Sequence, residues 1–341
     1  MTSRKPQKKS PASDTDADSA LSQQYGGKHT GGWVSSLPAS WVPYIQLARL
    51  SPPAGVFLVF FPHLFGVAHA AVLLHSPLSH TLRIAATLTL GSFFVSNAIH
   101  GWNDLVDAPL DAMVARTRNR PIPRGAVSPF GAFVFTATQL LAAAALLPFL
   151  PEATAWAVVP SVLVNFYYPW SKRHTHAAQL VLGVSLAWGV YVGAAAMGVE
   201  GLLFWGQGED WASTTCLFGA SALWTVIYDT IYAFQDVADD EKIGIKSTAV
   251  FFRAWTKPFL WTVLAAVVGL LGTYGAFVFD GEVRVGYYLV VVGGSLLSLG
   301  AMIAKVDLDD PLSCWLWFRY GFWLAGGSIA GGLLLQYAMV L

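Results

Sequence analysis

Residues 82–111 read L-R-I-A-A-T-L-T-L-G-S-F-F-V-S-N-A-I-H-G-W-N-D-L-V-D-A-P-L-D. The first part, 82–102, has one charge and the length of about 20 residues that a bilayer crossing requires. The second part turns abruptly acidic, so a membrane helix delivers carboxylates to one face of the bilayer. Similar apolar runs occur at 53–74, 129–150, 153–169, 178–199, 214–234, 257–279, 285–304 and 318–340, which makes about nine spans in all. The 341 residues are 55% apolar and 12% charged, against the roughly 25% charged composition of a soluble domain. In lipid the backbone must satisfy its own hydrogen bonds, and long runs rich in Leu, Ala, Val and Gly do so as helices rather than barrel strands. The expected fold is an all-α integral membrane bundle in the lipid bilayer.

The net charge is zero, but the charges are not evenly placed. Of the 20 Lys and Arg, only Arg83 and Arg284 fall in one set of alternate loops; the others lie in the amino-terminal arm and the opposite set. The positive-inside rule then puts the amino terminus and the connections after helices 2, 4, 6 and 8 on the cytoplasmic side, and Leu341 on the other.

Residues 1–32 are polar, with no apolar period, and are expected to be disordered; 1–40 form the arm and 41–341 the membrane domain. The arm carries Asp14, Asp16 and Asp18 and a single Arg, unlike a mitochondrial presequence, so internal membranes such as the endoplasmic reticulum are expected over the mitochondrial inner membrane. Cys216 and Cys314 have no close-spaced partner and read as buried thiols. Nothing in the composition points to nucleic acid.

Two polar loops, 103–127 and 236–256, lie four helices apart and on the same predicted side. Each opens with acids and continues into bases, which reads as two pseudo-repeats of four helices plus one, around a central cavity. Asn103, Asp107 and Asp111 are spaced i, i+4, i+8, so each step advances only about 40° around a helix and the three share a face. Asp236 and Asp240 repeat the spacing, with Asp229 and Asp239 nearby. Crowded carboxylates demand a countercharge, and hard oxygen donors without Cys or His suit Mg²⁺, which shares its coordination with substrate phosphates. Either loop alone reads as an ordinary solvated interface. Two with the same order of acids and bases, on the same side, favour phosphate chemistry. Arg116, Arg120, Arg124, Lys172 and Lys246 lie on that face and could neutralise a diphosphate; Arg118 and Arg253 read as membrane anchors.

The sequence resembles the UbiA superfamily of intramembrane prenyltransferases, particularly its 4-hydroxybenzoate branch. The resemblance rests on N-D-x-x-D-x-x-x-D from Asn103 with R-T-x-x-R-P after it, Y-P-W-S-K at 168–172, Q-L-V-L-G at 179–183, and Y-D-T-I-Y-A-x-Q-D-x-x-D-D-x-x-x-G-x-K-S-T at 228–248. It implies metal binding by Asn103, Asp107, Asp111, Asp236 and Asp240, and catalysis by the four aspartates. It implies diphosphate binding by Arg116, Arg120, Lys172 and Lys246, and acceptor binding by Arg49 and Tyr168. The implied reaction is Mg²⁺-dependent capture of an allylic cation by an electron-rich phenolic ring, with Trp188, Tyr191, Trp224 and Tyr232 as candidate cation-stabilising rings. Where the branch reads R-x-D-K-P-x-G, this sequence has Arg49-Leu50-Ser51-Pro52-Pro53-Ala54-Gly55. That departure and the acidic arm resemble the fungal meroterpenoid members, which implies farnesyl transfer to a polyketide phenol, with 4-hydroxybenzoate of ubiquinone synthesis as the alternative. A membrane transporter is the competing class, but it would place its acids at mid-bilayer on broken helices.

Overall fold

A computed structural model describes residues 25–27, 32–51, 53–199, 209–279 and 284–341. Most of the arm expected to be disordered lies outside the described residues. Within it, Tyr25 is buried and Gly32–Ser36 form a 3-10 turn.

The described chain is helical: α1 (Val42–Leu47), α2 (Ala54–Leu73), α3 (Leu78–Asp111), α4 (Pro129–Ala144), α5 (Glu152–His174) and α6 (Ala178–Ala196, interrupted at Trp188). There follow α7 (Glu209–Ala233), the short α8 (Val237–Ile243) and α9 (Thr248–Phe252), α10 (Thr256–Val278), α11 (Val285–Lys305, with a π-helical turn at Tyr288–Gly293) and α12 (Pro311–Val340). Eight helical segments among the described residues are long and apolar enough to cross a membrane, not nine. The difference is α5. It is 23 residues long but carries Pro160, Asn165, Pro169, Lys172 and Arg173, which dilute its apolar character. The fold class stands; the count of nine and the paired-repeat arrangement do not follow from it.

Helix ends use expected chemistry. Ser128 accepts from the Gly131 amide at the start of α4, and Asp310 accepts from the Leu312 amide at the start of α12, each just ahead of a proline at the first turn. Gly244 ends α8 in the left-handed conformation, φ +78°, a C-cap that glycine takes without steric cost.

Without a hydrophobic drive between helices in lipid, close approach of backbones supplies the packing. At the α2–α6 crossing a Cβ on Gly66 would lie 2.1 Å from the Val190 carbonyl oxygen, and one on Gly193 would lie 2.3 Å from that of His63. Backbone touches backbone there, from both sides. A second core joins α2, α7 and α12 through Phe61, Phe65, Trp224 and Phe322, with Trp224 and Phe322 stacked at 5.2 Å. These contacts fix α2, α6, α7 and α12 around a cavity open toward the acidic loops.

Gly66→Ala is expected to destabilise the detergent-solubilised protein by about 1–3 kcal/mol through forced overpacking. Gly269→Ala, where nothing lies within 4 Å of the new Cβ, should not lower the melting temperature. Thermal unfolding of the two variants checks the crossing. In a chain without Cys216 and Cys314, single cysteines at the exposed positions Arg118 and Lys242 should label from one side of the membrane, and one at His75 from the other.

Candidate active site

The helix α3 does not stop at the expected membrane boundary but continues nine residues further, through Pro109, to Asp111. Continuing the helix keeps Asn103, Asp107 and Asp111 on one face, and all three line the cavity while remaining buried. Each buried carboxylate is met by a cation. Lys172 Nζ donates to Asp107 at 2.9 Å and Arg173 donates to its other oxygen at 3.2 Å. Arg120 bridges Asp111 at 2.8 Å and Asp104 at 3.2 Å, and Arg49 donates to the same Asp104 oxygen at 3.0 Å.

The second acidic group sits after α7, where a turn over 234–236 separates Asp236 from the helix and starts α8. Arg116 Nε contacts both Asp236 oxygens, at 2.8 and 3.0 Å, and its Nη1 donates to the Tyr232 hydroxyl at 3.0 Å. Asp240 also lines the cavity; burial, followed by the nearby Asp236 carboxylate, pushes its carboxyl up to about 7. Asp239 points elsewhere. It accepts from the Ala115 amide at 3.2 Å and from Lys242 at 3.1 Å, which hold its carboxyl below the usual range. The Ala115–Asp239 and Arg116–Asp236 bonds tie the two loops together, so both acidic groups serve one cavity. Lys246 lines it as well, and its amide donates to the Lys172 carbonyl at 2.8 Å, fixing the second loop to the end of α5.

The site residues implied by the resemblance all line this cavity, including Arg49 and Tyr168, whose ring lies under the Lys172 ammonium at 4.8 Å; Arg124 does not, and donates instead to the Asn119 carbonyl and Gln46. Of the four candidate rings, Tyr232 lines it; Trp188, Tyr191 and Trp224 pack instead against Phe218 or Phe322. Beyond the charged mouth the walls are apolar, with Leu58, Ile99, Leu182, Leu186 and Phe318.

Three residues in or beside the cavity escaped the sequence reading. Asp104 is one residue off the acidic face, and only tertiary packing reveals that it pairs with Arg49 and Arg120. Tyr25 comes from the polar arm, brought in by the Gly27 amide on the Asn119 carbonyl at 2.9 Å and by Gln46 Nε2 on the Gly26 carbonyl at 3.3 Å; its ring lies 5.6 Å from the Arg49 guanidinium. Burial raises its phenol well above the ordinary value. His100 was legible, since it precedes Asn103 by three residues and so shares the acidic face.

Five basic side chains (Arg49, Arg116, Arg120, Lys172, Lys246) and five carboxylates (Asp107, Asp111, Asp229, Asp236, Asp240) line the cavity. Such a matched set suits a ligand that itself brings both charges, an anion with its cation. Among the described residues no three carboxylate, imidazole or thiol groups converge as a ready metal cage. A hard cation held by one or two carboxylates from each side and completed by phosphate oxygens and water does not need one.

The UbiA prenyltransferase family model matches residues 59–326. The chain belongs to this family. It is a UbiA-family prenyltransferase, an integral membrane enzyme, and the transporter alternative falls. It is 34% identical over 309 residues to the mitochondrial 4-hydroxybenzoate polyprenyltransferase of Saccharomyces cerevisiae, covering 91% of this chain and 78% of that one. It is 36% identical over 275 residues to the prenyltransferase ascA of Acremonium egyptiacum, with 81% and 80% covered. Against the prenyltransferase stbC of Stachybotrys bisbyi the figures are 33% over 315 residues, 91% and 92%. Among solved structures, a UbiA homologue from Aeropyrum pernix K1 superposes with a TM-score of 0.65 at 20% identity, covering 81% of this chain and 97% of that one. A UbiA homologue from Archaeoglobus fulgidus bound to GPP and Mg²⁺ superposes with a TM-score of 0.58 at 18% identity, covering 83% and 99%. The relatives named mitochondrial give no support to the expected preference for other internal membranes.

In this UbiA-family enzyme the ligand-free ion pairs separate two kinds of acid. Asp104→Ala leaves Arg49 without its acid, while Arg120 keeps Asp111, and should cost about 3–5 kcal/mol, the loss typical of breaking a buried pair. Asp240→Ala breaks no ion pair among the described residues and should leave the melting temperature of the ligand-free protein within about 2 °C.

Proposed function

We propose that the enzyme transfers a farnesyl group from its diphosphate to a ring carbon of a substituted phenolic acid of polyketide type, with Mg²⁺ as cofactor. The observation that carries the reading is one cavity in which five carboxylates from two acidic segments and five bases stand at the mouth of an apolar channel. That is the polarity of a prenyl diphosphate: a charged head and a hydrocarbon tail.

Asn103, Asp107 and Asp111 on one side, and Asp236 and Asp240 on the other, would hold the metal. When bound, Mg²⁺ supplies positive charge to the leaving diphosphate oxygens. The homologue solved with GPP and Mg²⁺ supports this choice of ligand. Arg116, Arg120, Lys172 and Lys246 would take the diphosphate by exchanging partners: each now faces a carboxylate or carbonyl and would turn to phosphate oxygens. Since these charges are already half-buried and oriented, little reorganisation is needed as the allylic carbon–oxygen bond breaks. Tyr168, Tyr228 and Tyr232 stand around the space for the allylic carbon, where ring faces stabilise positive charge.

For the acceptor, Arg49 at the cavity mouth offers a guanidinium for a carboxylate, and its Nε is buried with no partner. The sequence Ser51-Pro52-Pro53 after it, in place of Asp-Lys-Pro, supports a bulkier ring than 4-hydroxybenzoate. The named 4-hydroxybenzoate polyprenyltransferases at 34% identity favour the second reading, that 4-hydroxybenzoate is the acceptor.

Membranes containing the enzyme should farnesylate a substituted orsellinic-type acid faster than 4-hydroxybenzoate; rescue of a ubiquinone-deficient strain without turnover of any polyketide phenol would reverse the assignment. Chelation should abolish transfer, and Asp107→Ala or Asp236→Ala should reduce turnover by at least about a thousandfold. Full rates in excess chelator would exclude the metal.

A further inference from the structure

On α3, one turn before the acids, His100 lines the cavity and is 7% exposed. Its Nδ1 lies 2.8 Å from the Ser96 carbonyl, which only accepts, and 3.3 Å from the Ser96 hydroxyl, which can accept too; the shorter contact puts the neutral ring's proton on Nδ1 and leaves a lone pair on Nε2. Among the described residues no hydrogen bond is made to Nε2. The other edge is closed: a Cβ at Gly55 would come within 2.4 Å of Cε1 and 3.0 Å of Nδ1, so glycine at 55 is what leaves room for this ring. With Nδ1 tied and Cε1 against α2, the Nε2 edge is the part left to face the cavity. His63 makes the same bond one turn back along its own helix, to Val59 at 2.8 Å, but does not line the cavity. An imidazole fixed in one tautomer at a cavity wall is a hydrogen-bond acceptor waiting for a donor. Neither diphosphate nor a prenyl chain offers one. A phenol does.

The geometry points to His100 as a catalytic residue that accepts the hydrogen bond of the acceptor's phenolic hydroxyl and draws off its proton as the ring attacks. This role rests on the phenol-transfer reading above. The ring π pair forms the new carbon–carbon bond while the allylic carbon–oxygen pair leaves with diphosphate. The phenolic proton passes to Nε2, so the ring becomes a neutral dienone instead of a cation. The ring C–H proton then goes to the released diphosphate, Nε2 returns its proton to oxygen, and the phenol is restored. The cavity thus selects acceptors with a free hydroxyl conjugated to the carbon that is alkylated.

The experiment compares a phenolic acceptor that the wild type turns over with its O-methyl ether, using farnesyl diphosphate and Mg²⁺, in wild type, His100→Leu and His100→Gln. The wild type should prefer the phenol by at least about tenfold, the worth of one well-placed hydrogen bond. His100→Leu should lose that preference, falling on the phenol but not on the ether, and His100→Gln, whose amide oxygen can accept, should recover part of it. An equal fall on both acceptors, or no fall, overturns the role, since a packing residue acts on both alike. If His100→Leu does not fold, His100→Gln decides: a preference unchanged from wild type overturns the proposal, and a reduced one supports it. A wild type that transfers to no phenol defeats the acceptor reading itself, and His100 with it, before any variant is made.

Discussion

The structure depends on keeping like charges buried together at the end of a membrane helix. Asp104, Asp107 and Asp111 fall within two turns of α3 and are all buried, an arrangement that repulsion and desolvation would break without partners. Arg49, Arg120, Lys172 and Arg173 supply them from three other parts of the chain. Those pairs in turn fix where the chain can go. Arg49 brings the segment before α2 to the cavity, Lys172 brings the end of α5, and Arg120 folds the loop after α3 back over its own acids. Arg124 extends the fold-back, bonding the Asn119 carbonyl and Gln46 of α1, each at 2.7 Å. Buried ion pairs contribute little net stability against an apolar alternative, yet breaking one is costly. The network therefore specifies an arrangement more than it strengthens one, as a site that must exchange partners with a ligand requires.

The membrane helices and the first acidic face were legible because each follows from a local rule. Apolar length gives the spans, and i, i+4, i+8 spacing gives Asn103, Asp107 and Asp111 a common direction that a continuous helix preserves. The second group was legible in composition but not in form. Asp236 and Asp240 keep the spacing, yet a turn interrupts the helix ahead of them, and Asp239 between them serves the Ala115 amide instead. Asp104 and Tyr25 could not have been read, because their roles come from partners 55 residues away in one case and from a polar segment with no period in the other. The one span whose apolar character falls short has a physical reason too. The helix α5 has bilayer length, but its prolines and terminal bases serve the cavity, and a helix that carries such residues is less apolar than its neighbours.

Rigidity and chemistry are placed at different depths. The closest contacts, Gly66 on Val190 and Gly193 on His63, bring α2 and α6 together backbone to backbone, away from the charged mouth. The mouth is built from long flexible side chains on loops and helix ends. A diphosphate can therefore be gripped by rotating Arg and Lys side chains, with no need to move the helices that set the width of the apolar channel. Branched aliphatic side chains in the channel wall and aromatic ones at its entrance divide the work between admitting a tail and guarding a cation.

The two substrates of the proposed reaction would then be read by different physics. The diphosphate is recognised through charge, which is strong, tolerant of geometry and shared by any prenyl donor. The acceptor must be recognised by direction, because only one ring carbon can lie in line with the breaking bond. The groups suited to direction are grouped on one side of the cavity. Arg49 is held in a left-handed backbone at φ +52°, with Tyr25 across its guanidinium, and His100 is held by Ser96 and by the absence of a side chain at Gly55. His100 is fixed by something other than the acids, whereas Arg49 is also tied to Asp104. Changes around His100 can alter which ring is accepted while the carboxylates and their cations stay as they are, so one charged site can serve several acceptors across a family.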